Sequence, residues 1–208
     1  MISATAALER LRQGNQRYAS DVRSLDALTS HTRRADLVGG QTPFAIVLGC
    51  SDSRVPAELV FDSGLGDLFV IRVAGNVVAT SQVGSVEFAA QRYGVRLVVV
   101  LGHTNCGAVC ATIEALRQAS GDQSPGLQSI VQRVRPAVEA LLHTELAGDE
   151  EALMRYAVRA NVRVSVDHLR HGSQIIERLV RDEGLLVVGA EYSLETGMVD
   201  FFEGAPSG

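Results

Sequence analysis

Tryptophan is missing from this 208-residue chain, aromatic residues make up only 5% of it, and no apolar run is long enough to cross a bilayer. The first two absences argue against a surface built for stacking ligands, and the third leaves no membrane partner. Cysteine is scarce and odd in number, at three, which excludes a disulfide scaffold and leaves thiol or metal chemistry as the use for these residues. The N-terminus carries no apolar leader, so the expected compartment is a reducing cytoplasm. Basic residues are outnumbered, 19 to 24, giving a formal charge of −5, and they are scattered arginines rather than a block. A nucleic-acid partner is therefore not expected.

What the chain does have is Val, Leu, Ala and Gly in quantity, and a length that one domain over residues 1–208 can use to build a core without staples. Residues 3–13 read as a helix stopped by Gly14, and a polar helical stretch from about Asp21 to Leu37 ends at Gly39-Gly40. Neither has the apolar surface for a core of its own, so both are expected to drape over another surface. Phe44–Gly49 and Arg96–Gly102 are apolar runs that read as buried strands of a parallel sheet, and Asp67–Ala74 reads as a second strand between them. Helical stretches at Ser81–Tyr93 and Ala108–Ala119 alternate with them, which implies right-handed crossovers and a parallel sheet. A turn-rich loop at Gly121–Gly126 precedes helices at about Leu127–Leu146, Glu150–His171 and Ser173–Asp182. Leu185–Tyr192 and Met198–Phe202 then flank the turn Glu195-Thr-Gly197 as a terminal strand pair. The fold class is α/β: a mostly parallel central sheet flanked by helices, with N-terminal arm helices.

Chemistry gathers at two strand ends. Cys50-Ser-Asp52-Ser-Arg54 follows the first strand, and His103-Thr-Asn-Cys106 follows the third, where ligand sites of such sheets lie. A single Cys or His near a strand end is usually a packed core residue. Two thiols and an imidazole together are the ligand set of zinc, and three protein ligands leave a fourth position for water. The helix starting after Cys106 favours the thiolate there. Cys110 can either complete a closed four-ligand site or pack one turn down the helix, away from the cleft. Asp52 and Arg54 can be a solvated loop pair. In an extended segment they instead face the same side as Cys50, where Arg54 would keep the Asp52 carboxylate ionised beside a metal-bound water. Gly64-Leu-Gly66 lacks the rest of a dinucleotide fingerprint.

The motifs Cys50-Ser-Asp-Ser-Arg-Val-Pro-Ala-Glu58, Gly66-Asp-Leu-Phe-Val-Ile-Arg72, Ala74-Gly-Asn76 and Gly102-His-Thr-Asn-Cys-Gly-Ala108 occur in the order and spacing of the β-class carbonic anhydrases. From about Gln41 to Ala111 the chain resembles that family. The resemblance implies one Zn2+ per chain on Cys50, His103 and Cys106, and reversible hydration of carbon dioxide to bicarbonate by a zinc-bound hydroxide. It implies an Asp52–Arg54 dyad, with Asp52 orienting the hydroxide or, in some members, closing onto the metal as a fourth ligand. Gln41 would orient substrate, with Phe69, Ala74 and Phe88 lining an apolar cleft in which Ala74 replaces the usual Val and Phe88 the usual Tyr. The implied assembly is a homodimer, often a homotetramer, with residues 1–40 forming arms on the partner subunit. Some members close the site with the help of a bicarbonate pocket. Arg72 matches that pocket's arginine, but Val47 stands where its Trp is usual, so an open site without bicarbonate allostery is expected. Two other readings are a non-catalytic zinc protein on the same fold, and the same centre acting on carbon disulfide or carbonyl sulfide.

Overall fold

The computed structural model describes residues 2–22, 31–118 and 124–206. A five-stranded sheet in the order β2-β1-β3-β4-β5 organises them. Its strands are β1 (Ala45–Gly49), β2 (Leu68–Arg72), β3 (Leu97–His103), β4 (Leu186–Tyr192) and β5 (Val199–Glu203). The first four run parallel and β5 returns antiparallel on β4. Every residue of β1 and β3 is buried, which is why both read as unbroken apolar runs.

Helices cover both faces. On one face α1 (Ala4–Ala19) and the short α3 (Ala57–Val60) pack Leu8, Leu11, Val60 and Phe61 onto Val47, Val99 and Leu101. Burying Leu11 completely is worth roughly 2 kcal/mol. On the other face α4 (Thr80–Arg92), α7 (Glu150–His171) and α8 (Gln174–Asp182) supply Val86, Val162, Val166, Ile176 and Leu179 against Ile46, Leu48, Val98 and Val100. A third apolar cluster joins α5 (Gly107–Arg117), α6 (Pro125–Val138) and the start of α7 beside Cys50 and Cys106. Asp149 caps α7 by accepting from Ala152 N–H, with Glu150 and Glu151 in its first turn and basic residues in its last, as the helix dipole favours.

Several expectations change. Gly14 does not stop α1, which continues to Ala19; a Cβ there would lie 2.0 Å from the Phe61 carbonyl oxygen, so the glycine permits close contact with the segment after α3. As expected of a helix without a core of its own, α1 lays an apolar stripe, Leu8 and Leu11, on another surface, here the sheet of its own chain. Of the second polar helix, α2 (His31–Asp36) is the described part that is helical; Asp21, Val22 and Leu37 are not, and residues 23–30 fall outside the described residues. The long helix expected to reach Leu146 ends at Val138 and gives way to single 3-10 turns at Leu141–His143 and Glu145–Gly148. Pro136 near its end removes a backbone donor. Residues 119–123, which include half of the expected turn-rich loop, lie outside the described residues, and the other half caps and opens α6 through Ser124, Pro125 and Gly126.

Candidate metal centre

Parallel pairing of β1 with β3 sets the carboxyl ends of both strands side by side, with Gly49 opposite Leu101. Cys50 leaves β1 at that level, His103 closes β3, and Cys106 is the N-cap of α5. One ligand atom from each lies within 4.8 Å of the other two, and all three residues are buried. A tetrahedral ion with bonds of about 2.0–2.3 Å holds its ligands roughly 3.5 Å apart, so small side-chain rotations close this set on zinc. The histidine is already oriented for it. Its Nδ1 lies 3.0 Å from the Thr104 carbonyl, which can only accept, so Nδ1 carries the proton; buried Nε2 has no hydrogen-bond partner and offers its lone pair.

Electrostatics favour deprotonation of the first thiol. Cys50 is lowered to about 4, chiefly because the Cys106 thiol hydrogen-bonds to it, with further help from His103 and the backbone of Asp52 and Gly75. Cys106 retains the shared proton and moves up, its hydrogen bond to Cys50 adding to burial. Burial alone would push His103 down, but the neighbouring Cys50 thiolate more than offsets it. A divalent cation held by these residues would displace the remaining thiol proton and keep the imidazole neutral.

Asp52 stands beside the cluster without joining it. Its Oδ2 lies 3.8 Å from His103 Nε2 and accepts from Arg54 Nη2 at 2.7 Å, while Oδ1 accepts from Arg54 Nε at 2.9 Å and from the Arg54 backbone N–H at 3.0 Å. These hydrogen bonds hold the carboxyl well below the usual carboxylate range. Arg72, matched in the sequence to a bicarbonate pocket, here donates to the Cys50 carbonyl at 2.9 Å and the Asp52 carbonyl at 2.6 Å, clamping the loop that carries both. Ala74 opens a 3-10 turn, Ala74–Asn76, whose Gly75 N–H donates to Cys50 Sγ at 3.3 Å. This turn and the Arg72 clamp were not visible as supports in the sequence; the adjacent Gly75-Asn76, both at positive φ, was the available sign.

The remaining substrate candidates lie elsewhere. Gln41 precedes β1, at the opposite end of the strand from Cys50, and donates to the Tyr93 hydroxyl at 3.1 Å. Five strand residues rising about 3.3 Å each separate those ends. Phe69, Phe88 and Tyr93 form one aromatic group with ring centroids 5.8–6.2 Å apart, and Phe88 is 52% exposed. Gln41, Phe69 and Phe88 are thus together, with Gln41 well removed from this chain's own cysteines. Cys110 points down α5, as its register implies, but sits half-exposed at the rim rather than packed, donating to Glu114 Oε1 at 3.4 Å.

Comparison with known proteins agrees with this geometry. A sequence model of the family described as carbonic anhydrase matches residues 45–199. Carbonic anhydrase 2 of Mycobacterium tuberculosis is 38% identical over 196 residues, spanning 92% of this chain and 89% of that protein. The β-carbonic anhydrase CafA of Aspergillus fumigatus superimposes with a TM-score of 0.74 at 26% identity, over 97% and 91% of the two chains. A tetrameric β-carbonic anhydrase of Sordaria macrospora shares the fold, with a TM-score of 0.72 at 24% identity over 81% of this chain and 85% of its own. No described helix is long and apolar enough to cross a membrane. With about three quarters of the chain inside the family match and a thiol–imidazole–thiol cluster at the strand ends, the chain belongs to the β-class carbonic anhydrases and is a carbonic anhydrase.

Proposed function

We propose that the chain hydrates carbon dioxide reversibly at one zinc ion held by Cys50, His103 and Cys106, in an open site from which Asp52 stays withdrawn. The observation that carries this reading is the Asp52–Arg54 pair, in which both carboxylate oxygens are engaged by the arginine beside the ligand cluster. When bound, zinc supplies Lewis acidity that makes hydroxide available from water at a pKa of roughly 7.

The side chains do the rest. Asp52, kept ionised by Arg54, accepts the hydrogen bond of the nucleophile's O–H and leaves an oxygen lone pair free to attack carbon. One C–O bond forms, one carbon–oxygen π pair moves to oxygen, and bicarbonate results. Incoming water then replaces the product and loses a proton to buffer. Cys110 bonds to Glu114 outside the three-ligand cluster, which favours a catalytic centre over a closed structural one.

Gln41, Phe69 and Phe88 fit the role of substrate residues when they face another protomer's cluster, because Gln41 sits at the wrong end of β1 to reach its own. Ala74, beside Cys50, would line the cleft of its own chain. The assembly is then a homodimer or larger homo-oligomer with residues 1–40 lying against the partner, in keeping with the tetrameric Sordaria relative. A cytoplasmic location goes with the unpaired thiols of the ligand set, which need reducing surroundings to stay free for a metal.

The test is stopped-flow carbon dioxide hydration from about pH 6.5 to about pH 9, with zinc content measured on the same sample. One zinc per chain with activity already present near neutrality is expected. Full zinc with activity only at alkaline pH would show Asp52 closing on the metal, and full zinc with no activity would show a binding protein.

A further inference from the structure

α7 carries two polar residues in the middle of its buried face, Asn161 and Ser165, among Val158, Val162 and Val166. They are four apart, one turn along the same side of the helix. Polar groups there are costly unless they meet partners, and both meet the same short segment. Asn161 Nδ2 donates to the Gly75 carbonyl at 2.7 Å and Ser165 Oγ donates to the Asn76 carbonyl at 3.0 Å. That segment is unusual in its backbone. Gly75 and Asn76 are consecutive left-handed residues, with φ of 71° and 44°, and a Cβ on Gly75 would meet Ala108 Cβ at 3.0 Å. Consecutive left-handed residues persist only where surrounding contacts hold them. The same turn aims the Gly75 N–H at Cys50 Sγ.

We propose that Asn161 and Ser165 are positioning residues of the metal centre, holding the Ala74–Asn76 turn so that Gly75 N–H donates to the sulfur of Cys50. The inference rests on the reading of Cys50 as a metal ligand. An N–H···S hydrogen bond withdraws electron density from a thiolate and fixes its direction, so it sets how strongly the sulfur donates to the ion. Asn161 thus acts on the centre through Gly75, without touching the ion or the substrate. A residue serving only to fill the core between α7 and the turn would change stability and leave the sulfur's electronic environment as it was.

The experiment uses full-length protein reconstituted with cobalt(II), read by the sulfur-to-metal charge-transfer band and by metal competition with a chelator. Wild-type protein should bind one cobalt per chain and show the band. Asn161→Ala should still load, with the band at longer wavelength because the sulfur is more electron-rich, and with metal affinity lowered about 10- to 100-fold because the sulfur is no longer held in direction. Ser165→Ala should shift the band in the same direction, and Ser165→Thr, which keeps the hydroxyl donor, should restore it. If Asn161→Ala fails to fold, the Ser165 pair decides. Bands of Asn161→Ala or Ser165→Ala coinciding with wild type, whatever their stability, overturn the positioning role. A wild-type protein that binds cobalt without a sulfur band instead overturns the assignment of Cys50 as a ligand.

Discussion

Asp52 and Cys106 separate two functions that a loss of activity alone would confuse. Asp52→Ala removes the oriented acceptor but none of the three clustered ligands, so zinc should remain at one per chain while kcat/KM falls about 100-fold or more. Cys106→Ser removes a ligand, and elemental analysis should find the metal lost. Glu191 offers a pH test away from this chemistry. Burial pushes its carboxyl up despite the hydrogen bond from Arg159, and its Oε1 has no partner. The folded state therefore holds this proton more tightly than the unfolded chain, and the group's contribution is most favourable at low pH and declines as pH rises through the raised value. Glu191→Gln should match wild type in thermal midpoint below the ordinary glutamate range and exceed it progressively above; a constant difference from about pH 4 to pH 8 would show that the titration of Glu191 is not responsible.

Elements differ in how openly the sequence declared them. β1, β3 and β4 were legible because buried parallel strands have no polar face to interrupt the apolar run, and Cys50 and His103 were legible because they end such runs. Gly14 was misread because a glycine that ends a helix and one that lets a helix approach a carbonyl look the same without the neighbour. Gly14→Ala tests the close approach. A solvent-facing glycine inside a helix would gain up to about 1 kcal/mol from the change, but against the Phe61 carbonyl Gly14→Ala should destabilise by about 1–3 kcal/mol in chemical denaturation. Asn161 and Ser165 were passed over for a related reason: they lie 86 and 89 residues from the carbonyls they bind, and a polar residue in a 22-residue helix reads as solvent-facing.

At the scale of the whole molecule, the position proposed for Gln41 predicts complementation. Mixing Gln41→Ala with Asp52→Ala subunits by reversible dissociation gives hybrid dimers in which, if Gln41 serves the neighbour, one site carries both changes and the other neither. Activity should then recover toward about one quarter of wild type, whereas sites contained within one chain would show no recovery on mixing.

The ligand spacing has one further effect. Cys50 and Cys106 are 56 positions apart, and everything between them, β2, α4 and β3 included, is the loop an ion would close. Tying off a loop of that length removes chain entropy from the unfolded ensemble worth about 4 kcal/mol, by analogy with a disulfide. The ion that activates water would thus also act as a reversible clasp, and availability of the metal would set how long a freshly made chain stays folded.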